Sequence, residues 1–338
     1  MVDTFVLGLA YPSVEAGTHV EAASTNVKHP LVLREDADYD IPHAEMKYSV
    51  QRLANNASPY SINRKRVVSP QGIIKMKGVV ADLMPFLLAC GTIATTTGEQ
   101  FIVTQIDTGL PKKVLAHVEQ NEYTTPRVYD YTDCYCSKAK IFSQEKLLWA
   151  ELAFRAGIAT AGHQLTASPS AMFGTNTPFE GYPLNHPSNT VAWNSKALGA
   201  YFKDISFEIE PKLEFHEIQG QSALKFQSYR EVEYSPISLK FVIDGSAAND
   251  LDDMEALIDA ATSSDLVVTL YRSAADYLKL TFKSCMCVKW KATAINTKKG
   301  DFSFIEALFT PPVKGAGTSP VEFREKQATT NTSANYDI

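Results

Sequence analysis

One pattern occurs twice in this chain, and an internal repeat limits the possible folds before any single element does. Residues 133–142 read Asp-Cys-Tyr-Cys-Ser-Lys-Ala-Lys-Ile-Phe, and residues 284–293 read Ser-Cys-Met-Cys-Val-Lys-Trp-Lys-Ala-Thr. The shared form is Cys-x-Cys-x-Lys-x-Lys, with Cys134, Cys136, Lys138 and Lys140 matching Cys285, Cys287, Lys289 and Lys291. The sequel recurs too: Leu147-Leu-Trp-Ala-Glu151-Leu-Ala-Phe154 matches Phe302-Ser-Phe-Ile-Glu306-Ala-Leu-Phe309. Each copy is a strand, a polar connection and a second strand, which predicts a hairpin. The connections are Ser143–Lys146 and the longer Ile295–Asp301.

The repeat extends upstream. Ile73-Ile-Lys-Met-Lys-Gly78 alternates as a strand, and Asp82–Cys90 then follows as a short helix with Pro85 in its first turn. Ile237-Ser-Leu-Lys-Phe-Val-Ile243 and Asp250–Ala261 take the same order. In the second helix Leu251, Met254, Leu257, Ile258 and Ala261 form one apolar stripe, and Asp252 with Glu255 resembles a capping arrangement. Elements repeating in one order predict a duplicated, mainly β unit.

A chain of 338 residues accommodates two such units. The expected layout is an N-terminal arm at 1–30, a first domain at 31–160, a connection at 161–190, a second domain at 191–312 and a tail at 313–338. The arm and the tail are polar and predict segments with no core of their own, held by neighbouring subunits. Glu45–Val50 and Arg64–Val68 predict a hairpin with a long polar loop at 53–63. Its counterpart falls within Pro211–Tyr229, and long ordered loops tend to be functional.

Chemistry is sparse. There is no dinucleotide or phosphate-loop fingerprint, no His-Glu-x-x-His and no Gly-x-Ser-x-Gly. His19, His29, His43, His117, His163, His186 and His216 are scattered, none three or four residues from another. Four thiolates, two from each copy, could hold zinc. Structural zinc sites space their cysteines more widely, so small buried hydrophobes are the preferred reading. The acidic run Asp250–Glu255 is explained by the helix dipole. No catalytic, cofactor-binding or metal-binding residue is assigned, and no enzyme is expected. Five cysteines fit no complete disulfide framework and imply folding in a reducing cytoplasm. No apolar run approaches a membrane helix, and Met1–Gly8 lacks the basic region of a secretion signal. A net charge of −6 argues against a surface built to grip phosphates. The Lys138/Lys140 and Lys289/Lys291 pairs predict a solvated strand face.

In its order of elements the chain resembles the tail tube proteins of long-tailed bacteriophages and related archaeal viruses. The order is arm, long-looped hairpin, strand, short helix, then closing antiparallel strands ending in Glu-x-x-Phe. Ala192–Ile209 also looks like the opening of such a domain. The resemblance covers most of residues 30–312 and rests on element order, with no diagnostic motif. It implies two tandem β-sandwich or barrel domains, each with a flanking helix, in place of the single domain of many tube proteins.

Function follows from the resemblance as an expectation. The chain forms stacked rings that make the tail tube, a channel for DNA ejection, within the virion after folding in the host cytoplasm. In that family a ring of single-domain subunits commonly has six, so paired domains imply three chains with pseudo-sixfold symmetry. Implied partners are the tape measure, terminator, distal tail or baseplate proteins, and a sheath where the tail is contractile. DNA passes without tight binding, and no membrane is involved. Other readings are a distal tail adaptor or injection-system ring component, and a carbohydrate-binding β-sandwich module.

Overall fold

A computed structural model describes residues 5–10, 38–40, 46–51, 62–67, 73–80, 91–96, 99–105, 114–120, 127–155, 158–161, 181–217, 224–242, 254–292, 304–313 and 319–326. These are mainly β, and every strand pairing is antiparallel. The strands through the first repeat are β1 (Phe5–Ala10), β2 (Asp38–Asp40), β3 (Met46–Gln51), β4 (Ile62–Val67), β5 (Ile73–Val79), β6 (Gly91–Thr96), β7 (Glu99–Gln105), β8 (Val114–Gln120), β9 (Arg127–Gln144), β10 (Leu147–Arg155) and β11 (Ile158–Ala161). The second repeat contributes β12 (Thr190–Trp193), β13 (Lys196–Glu217), β14 (Leu224–Tyr234), β15 (Ile237–Val242), α1 (Met254–Asp259), β16 (Ser264–Tyr271), β17 (Tyr277–Cys285), β18 (Cys287–Ala292), β19 (Phe304–Phe309) and β20 (Val321–Lys326).

The repeated residues occupy repeated registers. Glu151 on β10 lies opposite Lys140 on β9 and Lys77 on β5. Glu306 on β19 lies opposite Lys291 on β18 and Lys240 on β15. Both hairpins carry a register shift at the same place. Phe154 faces Cys136 and Ala153 faces Lys138, while Phe309 faces Cys287 and Leu308 faces Lys289. Ser137 and Val288 are the extra residues, and a bulge bends its strand locally. The Cys136 and Cys287 thiols both contact the carbonyl two residues on, at 3.4 Å. Further out, Val114 faces Cys134 and Ala116 faces Tyr131, with a shift between; Ser264 faces Cys285 and Leu266 faces Phe282, again with a shift between. Residues aligned by sequence alone are therefore aligned by hydrogen-bond ladder.

One sheet runs β2-β5-β10-β9-β13-β15-β19-β18, with β14 continuing the β15 side of β13. Alternation sends Ile205, Phe207 and Ile209 of β13, and Ile237, Leu239 and Phe241 of β15, into the core. They pack on a second layer that includes Leu266, Val268, Leu278, Leu280, Phe282 and Phe323. Phe207 meets Phe282 edge to face at 4.7 Å and stacks on Phe323 at 6.1 Å. Trp193 meets Phe309 at 5.8 Å, and its indole N–H donates to the Cys285 carbonyl at 3.0 Å. A buried aromatic with its one donor satisfied is stabilising on both counts.

Several expectations need correction. Phe5–Ala10, expected within an extended arm held by neighbouring subunits, pairs along its length with β8 of its own chain. Val321–Lys326, expected within a polar tail, pairs with β17 on one side and β7 on the other. Overall composition hid the alternation of Val321-Glu-Phe-Arg-Glu-Lys326, which buries Val321, Phe323 and Glu325. Glu325 is tolerated inside because the Tyr182 hydroxyl donates to it, and the Arg272 guanidinium lies 4.7 Å over the Tyr182 ring. The loop expected within Pro211–Tyr229 is mostly paired strand: Phe215 faces Phe226 and Glu217 faces Leu224. Pro211 itself lies within β13, opposite Val232 and beside a register shift at Lys212/Leu213. The first hairpin forms between β3 and β4, from Met46↔Val67 to Gln51↔Ile62; its loop at 53–61 lies outside the described residues.

The connection 161–190 is described from residue 181, where it packs tightly. The Leu148 N–H donates to the Tyr182 carbonyl and the Leu184 N–H to the Lys146 carbonyl. Asn189 is fully buried; its amide donates to the Pro183 and Leu184 carbonyls and accepts from the Tyr271 N–H at 2.8 Å. The first helix, expected at Asp82–Cys90, lies outside the described residues. The second ends at Asp259, before the expected Ala261, and residues 250–253 lie outside the description. Ala261 does not join its apolar stripe. It is exposed at a φ of 49°, where its N–H bonds Ile258 and the next N–H, of Thr262, bonds Leu257. This is a Schellman ending with alanine where glycine is normally found.

Ala261→Gly should therefore stabilise the protein by about 1 kcal/mol, since the left-handed cost of a Cβ is removed. Urea denaturation checks this. Asn189→Ala should cost about 1–3 kcal/mol by leaving buried backbone groups unpaired.

Candidate functional site

The described residues present a sheet face and two sheet edges. At the centre lies the seam between the two repeats. Lys140 faces Glu208, with Phe142 opposite Ser206, Ile141 opposite Phe207 and Ala139 opposite Ile209. Side chains reinforce it: the Glu208 carboxylate meets Lys138 at 2.8 Å and Lys140 at 3.7 Å. The Ser143 hydroxyl donates to the Asp204 carboxylate and accepts from the Ile205 N–H. Hydrogen bonding by Lys138 holds the Glu208 carboxyl below its ordinary range, against an opposing desolvation effect. The same bond to Glu208 raises Lys138.

Charges alternate across the strands in two matching rows. The first reads Asp38, Lys77, Glu151, Lys140, Glu208. The second reads Asp204, Lys240, Glu306, Lys291. Lys240 bonds Glu306 at 2.6 Å and holds its carboxyl low. Each row carries the same aromatic support, with Lys77 5.5 Å from the centre of the Trp149 ring and Lys240 5.8 Å from that of Phe304. Opposite charges on adjacent strands stabilise a sheet by a few tenths to about 1 kcal/mol per pair. The rows also give the face nearly equal positive and negative charge, which leaves it a poor phosphate grip.

The two ends of this sheet differ. β18 pairs with β19 alone, and β2 with β5 alone, among the described residues. On β18, Lys289 and Lys291 are exposed and Val288 is 54% exposed.

The repeated cysteines supply packing. Cys136, Cys285 and Cys287 are buried free thiols. Burial pushes Cys285 up to about 12 and Cys287 up to about 11, which keeps both protonated and poor as nucleophiles or metal ligands. The side chain of Cys134 lies outside the description. Among the described residues no group of three His, Cys, Asp or Glu side chains is placed to hold a metal ion. His186 accepts a hydrogen bond from the Ser188 N–H and stacks near Tyr271. His117 lies on β8 and His216 on β13; His19, His29, His43 and His163 fall outside the described residues. No helix among the described residues is long and apolar enough to cross a membrane. The seam itself escaped sequence reading. Its only signal is that Glu208 alternates in phase with Asp204 and Glu210 beside the lysines of the repeat.

No family model matches the chain, and no curated protein matches it.

Glu208 gives a pH dependence with a definite sign. Its folded carboxyl titrates below the unfolded one, so its contribution is present above the ordinary carboxylate range and is lost as pH falls through the depressed value. Glu208→Gln should cost up to about 1 kcal/mol at pH 7, given its partial exposure, and markedly less at pH 3. Urea midpoints at the two pH values measure the difference.

Proposed function

We propose that this chain is the structural subunit of a viral tail tube. In this reading it assembles into stacked rings whose channel carries DNA to the host. Three chains make each ring, each supplying two tube-like domains, so the ring has pseudo-sixfold symmetry. Its place is the virion tail. Its further partners are the tape measure, terminator, and distal tail or baseplate proteins, with a sheath in a contractile tail.

The observation that carries this reading is the seam. Two copies of one strand arrangement stand side by side and share a single sheet through β9 and β13. A ring needs that contact: one unit hydrogen-bonded laterally to the next, with the join repeating until it closes. The polar face of the sheet is the natural lining. Its lysines lie opposite carboxylates, so a phosphate backbone meets no basic track on which to stall.

A second consequence supports the same reading. In a ring of identical single-domain subunits every seam has the same residues. Here the β3–β4 and β13–β14 hairpins differ in length and sequence, which a fused pair permits. The loop at 53–63 is assigned to contacts between rings.

Electron microscopy of the purified full-length chain tests the reading. The expected result is tubes or rings with three chains per ring, counted by image symmetry or native mass spectrometry. Six chains per ring would remove the fused-pair geometry, and a folded monomer at all concentrations would remove the tube. Deleting residues 53–61, and so leaving β4 from Ile62 intact, should leave a folded protein whose rings stack poorly.

A further inference from the structure

We propose that the β3–β4 hairpin of one copy of this chain docks, through a cationic face, on the acidic face of the β13–β14 hairpin of a second copy. This rests on the tube reading and deepens it, by naming what meets the hairpin that carries the loop at 53–61. The two hairpins hold the same place in the chain, one before β5 and the other before β15. Their charges are opposite. Residues 46–67 hold five basic residues and no acidic one, in a chain whose net charge is −6. Residues 209–234 hold five acidic residues against three lysines and arginines.

The strand registers sort these charges by face. Lys47 stands directly opposite Arg66, and Ser49 opposite Arg64. Residues two apart on a strand share a face, so Lys47, Arg64 and Arg66 occupy one side of this two-stranded sheet. In the second hairpin Glu210 stands directly opposite Glu233, and Lys212 opposite Glu231. Lys212 bridges Glu210 at 3.1 Å and Glu233 at 3.2 Å, so one lysine serves a face with three glutamates. Glu210 is 45% exposed and Glu233 54%, which leaves both open to a partner. Like charges directly opposite destabilise a pair of strands. Each hairpin carries such a pair, of opposite sign, and each is the complement that the other lacks. A phosphate backbone would answer the first pair alone. A second copy answers both with one contact, and opposed charge also suppresses the wrong pairings of like hairpins.

Charge reversal in the full-length chain tests the contact. Lys47→Glu with Arg66→Glu makes both hairpins acidic, and Glu210→Lys with Glu233→Lys makes both basic. Each variant should keep its β-sheet circular dichroism and form tubes about tenfold less well than wild type, by electron microscopy and sedimentation. An equimolar mixture of the two should recover tubes, since a contact between unlike chains again sets plus against minus. If a reversed pair does not fold, Lys47→Gln with Arg66→Gln replaces it; this variant should fold, assemble less well and lose the wild type's sensitivity to added salt. Recovery in a chain carrying all four reversals, with none in the mixture, would place the contact within one chain and overturn the proposal. Tubes undiminished in either reversed variant would overturn it as well and leave the tube reading standing. Nucleic acid that copurifies with wild type and is lost from Lys47→Glu with Arg66→Glu, again with no recovery in the mixture, would assign the cationic face to phosphate instead. If wild-type protein forms neither rings nor tubes, the tube reading falls, and this contact with it.

Discussion

The pairing of β9 with β13 is the constraint on which the rest of the structure depends. Both strands are long, and each serves more than one neighbour. β9 carries β8 and β11 along its first half and β10 along its second, while β13 carries β12, β15 and β14 in turn. Joining them makes the two repeats one sheet. The bond is mostly backbone, so it tolerates divergence in side chains. Its specificity comes from Phe207 beneath it and Glu208 above it. Phe207 sits where both layers meet, and truncating such a side chain typically costs about 3–5 kcal/mol.

The second layer repeats the logic by other means. β20, far along the chain, bridges β17 of the second repeat and β7 of the first. The β6–β7 hairpin has no counterpart between α1 and β16, where only a short turn stands. The two repeats are thus held together twice, by a shared ladder in one layer and by an inserted hairpin reaching a terminal strand in the other. The buried Tyr182–Glu325 bond ties the connection to that same strand. A unit joined in both layers resists hinging at its seam.

Similarity between the repeats is concentrated in the paired strands. The Lys–Glu–Lys rows, the bulges and the lysine over an aromatic ring are kept in both.

What the sequence alone determined was the mainly β character and the hairpins that carry the recurring Cys-x-Cys-x-Lys-x-Lys strands. Those are local: alternation sets which face each residue takes, and Glu151 and Glu306 are fixed opposite lysines by connections within one supersecondary unit. The connection expected at Ser143–Lys146 is a two-residue turn, Glu145–Lys146, both at positive φ, because Ser143 and Gln144 extend β9. Only the tertiary structure decided the rest. Composition labelled Phe5–Ala10 and Val321–Lys326 as parts of an arm and a tail with no core of their own, yet both are strands, because an edge elsewhere in the chain offered them a ladder. The same holds for the seam, for Pro211 within a strand and for Ala261 beyond a helix instead of on its stripe. Nothing in the pattern of a strand names its neighbour. That choice is made by backbone groups identical at every residue, and it is settled only when the core beneath them closes.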